Sequence, residues 1–213
     1  MKTSLKITSY AGQAQAWPQS GRHIMAQFDD DSIVVYQAYR PAIARFAVEH
    51  QRFGGEFSFS RMSWIKPNFL WMMFRSGWAS KEGQEHILAV RVKRTFFDEI
   101  LEASVASSFA ASRFDAHEKW QEAVSQSDVR LQWDPDHDPQ GACLERRAVQ
   151  LGLRGDTLHR YGQSELISIE DITPLVIEQR ENLKNGFQAL QTPCEEIYRP
   201  HSTSAALAVG IDL

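Results

Sequence analysis

Cations and stackable rings alternate through residues 61–78, RMSWIKPNFLWMMFRSGW. Trp64, Trp71 and Trp78 recur at intervals of seven, with Arg61, Lys66, Arg75 and the nearby Lys81 threaded among them. Planar cations fork onto oxyanions and indoles stack on rings, so the set suits an anionic ligand that carries a ring. The same stretch also reads as a core segment whose arginines reach water along their methylene stems. A second set is Gln37, Tyr39 and Arg40, an amide, an aromatic face and a guanidinium at the end of an apolar run. Anions are commonly held where a strand ends and a helix begins. The alternative there is a strand whose Tyr and Gln are bonded internally. Glu165, opening the run ELISI, is the best placed single carboxylate; otherwise it is a solvated charge. Asp134, Asp136, His137 and Asp138 alternate in a stretch with two prolines, which reads as a stiff solvated loop. A hard-cation site there would need six or more oxygen donors in defined positions. No glycine-rich phosphate loop, GxSxG elbow or HExxH helix is present.

These side chains need elements to hold them. Pro67 suits the first position of a helix and Gly77 the left-handed residue that closes one. The residues between are apolar on every side, which predicts a short helix buried all round. Residues 33–39 read as a strand, Pro41 opens a helix to about 51, and 56–59 read as a short strand. In the strand expected at 87–93, Leu88, Val90 and Val92 share one face and Arg91 and Lys93 the other. Thr95 and Asp98 have the spacing of a capping box for a helix to about 103. An amphipathic helix follows at about 113–124. Further strands are expected at 129–133, 147–153 and 165–169, with one helical turn at 155–161. A last helix, 175 to about 190, is capped by Asp171 or Thr173. Residues 1–31 read as an arm packed through Trp17, Ile24 and Phe28, and residues from 191 onward as a loose tail. Strands and helices in irregular order predict a single α+β domain over 1–213.

At 43% hydrophobic and 23% charged, the chain has an ordinary globular composition. No apolar run is long enough to span a bilayer, and residues 1–21 lack the apolar core of a signal peptide. Cys143 and Cys194 lie at no metal-ligand spacing and suggest no disulfide framework. A reducing cytoplasm is the expected location, without a membrane partner. The net charge of -4 conceals an asymmetry: residues 61–94 hold seven Lys/Arg against two Glu, and residues 95–142 three against ten Asp/Glu. A positive cleft on an acidic body is one way to arrange such segments; two solvated faces are another.

The block at 61–78, with IVVYQAYRPAIARFA, VRLQWDP and the LGLRG and ISIEDITP segments, resembles a family of microbial and fungal proteins catalogued only as a domain of unknown function. The likeness runs from about residue 17 to 179. More distantly, the chain resembles the ADP-ribosyltransferases. Tyr36-Gln37-Ala38-Tyr39 is similar to their first-strand motif, often written YHGT, with Gln37 where that motif has His and Ala38 where it has Gly. Ser164-Glu165-Leu166-Ile167-Ser168-Ile169 is similar to their late strand, opened by the catalytic glutamate. This resemblance implies two small packed sheets with flanking helices and NAD as a consumed substrate, with no metal. It implies Glu165 as the carboxylate that stabilises an oxocarbenium-like cation. Gln37, Tyr39, Arg40, Arg61, Ser63, Trp64 and Arg75 would surround the dinucleotide, and the acceptor would be a macromolecule, protein or nucleic acid. The competing expectation is a non-catalytic nucleic-acid-binding module over 61–94. There Arg61, Trp64, Lys66, Arg75, Trp78, Lys81, Arg91 and Lys93 mix cations with rings.

Overall fold

The computed structural model describes residues 5–212. Its first half runs β1 (Ile7–Ser9), α1 (Tyr10–Ala14), β2 (Gly21–Arg22), β3 (Ile24–Ala26), β4 (Ser32–Tyr39), α2 (Pro41–His50), β5 (Ser63–Ile65), α3 (Phe69–Ser76), β6 (His86–Lys93), α4 (Arg94–Glu102) and β7 (Ser104–Ala106). The second half adds α5 (His117–Gln126), β8 (Val129–His137), β9 (Cys143–Leu153), α6 (Gly155–Gln163), β10 (Leu166–Asp171), α7 (Thr173–Asn182), β11 (Gln191–Pro193), β12 (Glu196–Tyr198) and α8 (Thr203–Val209). Together they make one mixed α+β domain with several small sheets. Among the described residues no helix is long and apolar enough to cross a membrane.

Two sheets carry the architecture. β10, β6 and β4 form an antiparallel sheet, with Ser32 opposite Lys93 at one end and Tyr39 opposite His86 at the other. Residues 33–36 are apolar without a break because both faces of this sheet are covered. Ile33, Val35, Leu88, Val90 and Val92 face a core shared with Val129, Val149, Leu151 and Leu153 of the second sheet. Val34, Tyr36, Ile87 and Ala89 face a second core, filled by Phe69, Leu70, Met72 and Met73 of α3. The second sheet is ordered β2, β9, β8, β7, and β5 pairs with the end of β9. The sheets are stitched just past β5, where Tyr36 and Lys66 exchange backbone hydrogen bonds of 2.7 and 3.3 Å.

Several elements depart from the sequence-based expectation. α3 begins after Pro67: Asn68 caps it, its Oδ1 accepting from the Trp71 amide at 2.6 Å, and Gly77 ends it at φ 59°. Phe74 is 43% exposed, so the helix is not buried all round. Residues 56–59 form turns rather than a strand. α4 starts at Arg94 without a side-chain cap, because Asp98 is turned to distant partners, accepting from the Tyr198 hydroxyl at 2.6 Å and the His201 amide at 3.0 Å. The stretch expected to be a stiff acidic loop is the second half of β8, paired with β9 as far as His137 opposite Cys143. The tail is not loose. β11 pairs with β1, β12 with β3, and α8 buries Ala205 and Val209 in the first core.

Candidate functional site

The stitch between the sheets determines where Lys66 goes. Its backbone is pinned to β4, and its side chain enters a cleft of about 560 Å³ lined by residues of β4, β5, α3, β8 and β9. The lining includes Gln37, Tyr39, Ser63, Trp64, Lys66, Trp71, Arg75, Gln132 and Gln150 and, among the described residues, no carboxylate. Lys66 is 4% exposed. Its Nζ stands 4.9 Å from the centre of the Trp71 ring and forms no ion pair with a described carboxylate. Burial pulls this ammonium down to about 8, the Arg75 guanidinium pushes the same way, and Asp134 pulls back. The Trp71 indole Nε1 is buried with no hydrogen-bond partner among the described residues. A buried donor without a hydrogen-bond partner and a buried lysine without an ion pair, among the described residues, meet in one cleft.

The walls are more firmly bonded. Gln37, nearly fully buried, donates from Nε2 to Ser63 Oγ at 2.8 Å and accepts from the Tyr161 hydroxyl at 2.8 Å. Tyr39 meets the same Ser63 hydroxyl at 2.9 Å, and burial pushes its phenol well up, so it stays protonated. Trp64 lies across Gly152 of the neighbouring strand, where a Cβ would come within 3.0 Å of the indole. On β8 and β9, Gln132 and Gln150 stand opposite each other and grip one carboxylate. Gln132 donates to Asp134 Oδ1 at 2.8 Å and Gln150 to Oδ2 at 2.6 Å. Asp134 is thus held at the cleft's edge by two of its lining amides.

Of the residues singled out in the sequence, the structure brings Gln37, Tyr39, Ser63, Trp64 and Arg75 into this cleft. Arg40 and Arg61 line an adjoining hollow of about 370 Å³ that shares Tyr39, Met62 and Ser63 with it. Arg40 is paired there with Glu56 at 2.6 Å, both half exposed. Glu165 is not brought to the others. Its carbonyl accepts from the Lys93 amide at 3.1 Å, at the end of β6 opposite Ser32, whereas Gln37 and Tyr39 lie five and seven residues further along β4. At about 3.3 Å per residue that is on the order of 20 Å away. Its carboxylate is occupied by Lys93 at 3.1 Å and Arg160 at 3.4 Å.

The basic block at 61–94 likewise does not form one surface. Arg91 pairs with Asp29, Lys93 with Glu165, and Trp78 is 9% exposed with its indole donating to the Pro139 carbonyl. The acidic stretch is also committed internally: Asp136 is fully buried against Arg146 at 2.7 Å. Among the described residues no group of three or more His, Cys, Asp and Glu is placed to hold a metal ion.

Sequence reasoning named Lys66 only as one cation among several, read Asp134 as part of a stiff acidic loop, and passed over Gln132 and Gln150. The signal for the glutamines was available: each interrupts an apolar strand, in LQW and VQL, at a position that alternation turns away from the core. Comparison with curated proteins returns no match. Residues 23–198 match the sequence model of a family described as a domain of unknown function, DUF4291, and the chain belongs to that family.

Proposed function

We propose that the Lys66 cleft binds NAD and that the chain transfers ADP-ribose from it to a macromolecular acceptor. One observation carries the binding half: among the described residues, a buried lysine without an ion pair stands against an indole whose N–H is unpartnered, in a cleft whose lining holds no carboxylate. A pyrophosphate supplies the missing charge and acceptors, with Arg75 at the mouth as a second cation. Tyr39, Trp64 and Trp71 supply ring surfaces for nicotinamide or adenine.

In the transfer half, the bond between the ribose C1′ and the nicotinamide nitrogen breaks. The acceptor's nucleophile then forms a bond to C1′ and loses its proton. The oxocarbenium-like charge that develops needs a fixed carboxylate. In this reading Asp134, oriented by Gln132 and Gln150, takes the role that the resemblance gave to Glu165.

Thermal unfolding with NAD from micromolar to millimolar tests the binding. At a hundred times its dissociation constant the ligand stabilises the fold by about 2.7 kcal/mol. Arg75→Ala is expected to weaken that response. Asp134→Asn is expected to keep it while abolishing nicotinamide release, and Glu165→Gln to leave both unchanged. A wild-type protein that NAD does not stabilise overturns the binding; an Asp134→Asn variant that still releases nicotinamide overturns the mechanism.

A further inference from the structure

One lining residue of the Lys66 cleft, Gln132, faces a second space as well. That space is a third and larger hollow, about 940 Å³, walled by the segment after β7, the edge of β8 and the end of α8. Across the three adjoining hollows the lining holds six cations, Arg22, Arg40, Arg61, Lys66, Arg75 and Arg113, against one carboxylate, Glu56. The whole chain has 23 Lys/Arg against 27 Asp/Glu. The hollows are therefore strongly cationic on an acidic protein.

Arg22 and Arg113 are the most telling pair. A Cβ on Gly210 would sit 2.5 Å from Arg113 Nη2 and 3.5 Å from Arg22 Nη1, so two guanidinium groups converge on one point. Neither forms an ion pair with a described carboxylate; Arg113 donates to the Leu207 carbonyl at the end of α8, and the Asp212 carboxylate accepts from the Arg22 backbone amide. A helix C-terminus draws one cation with a partial charge and does not neutralise two. Beside them Phe114 is 38% exposed and Trp133 lies partly open in the same hollow.

We propose that this third hollow, continued past Gln132 into the Lys66 cleft, is the track of a single-stranded nucleic acid, and that this strand is the acceptor. Its role as acceptor rests on the transfer reading above; its binding does not. Phosphates satisfy the converging guanidinium groups and unpaired bases stack on the exposed rings, the combination that marks single-strand tracks. An acidic peptide satisfies the cations and leaves the ring faces without partners.

The experiment is fluorescence anisotropy with labelled 12-nucleotide oligo-U and oligo-dT, and with a duplex of the same length, across a salt series. Saturable binding of at least one single strand is expected, weaker for the duplex. The slope of log K against log salt should be about -0.7 per phosphate neutralised. Arg22→Glu combined with Arg113→Glu should weaken binding tenfold or more and leave the NAD-dependent thermal shift intact. Phe114→Ala, which removes an exposed ring, should weaken it severalfold in a protein with unaltered unfolding. Preference for oligo-U over oligo-dT would make the strand RNA, and the reverse DNA. No single-strand binding at low salt, equal affinity for the duplex, or affinity that survives charge reversal overturns the proposal. Strand binding without any NAD response overturns the cofactor reading and leaves the track standing.

Discussion

Moving a lysine ammonium out of water without a paired counter-charge costs stability, and Lys66 is in that position, with the Arg75 guanidinium adding to the cost. The Lys66 pKa falls from 10.5 to about 8, and each unit is worth about 1.36 kcal/mol, so the buried charge costs on the order of 3 kcal/mol at neutral pH. Below pH 8 both folded and unfolded chains keep the proton and the cost is constant. Between about 8 and 10.5 the folded protein releases it while the unfolded chain holds it, so stability rises with pH across that window. Lys66→Met should therefore stabilise the protein at pH 7, lose the NAD response, and show a stability advantage that shrinks towards pH 10. Urea unfolding at pH 7, 9 and 10 measures this; equal stability of wild type and variant at pH 7 would sink it. The sequence displayed Lys66 as one of several cations at regular spacing. That it alone is buried follows from the exchange of backbone hydrogen bonds with Tyr36, thirty residues earlier, which no local pattern contains.

At the scale of elements, the cleft depends on how closely β5 approaches β9. Gly152 has an ordinary strand conformation, and its missing side chain makes room for a neighbour: a Cβ there would meet Met62 Sδ at 2.7 Å and the Trp64 ring at 3.0 Å. The thioether can swing aside, but the indole is rigid and forms a wall of the cleft. Gly152→Ala is expected to cost about 1–3 kcal/mol as an overpacking change. It should also shift the cleft wall enough to weaken NAD binding in titration calorimetry. A variant with wild-type affinity would show that Trp64 takes no part in the site. The main elements were legible because their signals are local: β4 and β6 from β-branched runs, the end of α3 from Gly77. Elements were misread where a distant partner wins. Asp98 has capping-box spacing, yet Tyr198 and His201 take both its oxygens. Glu165 does lie at the start of a late strand, but antiparallel pairing with β6 places that start at the end of the sheet remote from the cleft.

At the scale of the whole molecule, the two ends of the chain, read as arm and tail, close the fold by pairing with each other and with the second sheet. β1 takes β11, β3 takes β12, and β2 lies parallel to β9. Arg146 fastens the arm from within: its Nη2 meets Asp136 at 2.7 Å, its Nη1 donates to the Pro18 carbonyl at 2.7 Å, and its guanidinium stacks 5.1 Å from the Trp17 ring. Both charges of the pair are almost fully buried. Removing one partner leaves the other buried and unpaired, so Asp136→Ala is expected to cost about 3–5 kcal/mol. Replacing both with apolar residues of similar volume, Asp136→Leu with Arg146→Met, removes the desolvation cost together with the attraction and should recover most of that loss. The double variant would still remove the Arg146 donor from the Pro18 carbonyl, so susceptibility to limited proteolysis before residue 20 should rise in it. Denaturant midpoints for the singles and the double measure the coupling. A double variant no more stable than Asp136→Ala would mean that the pair is held for more than its mutual charge, with Arg146 acting chiefly as the anchor of the arm.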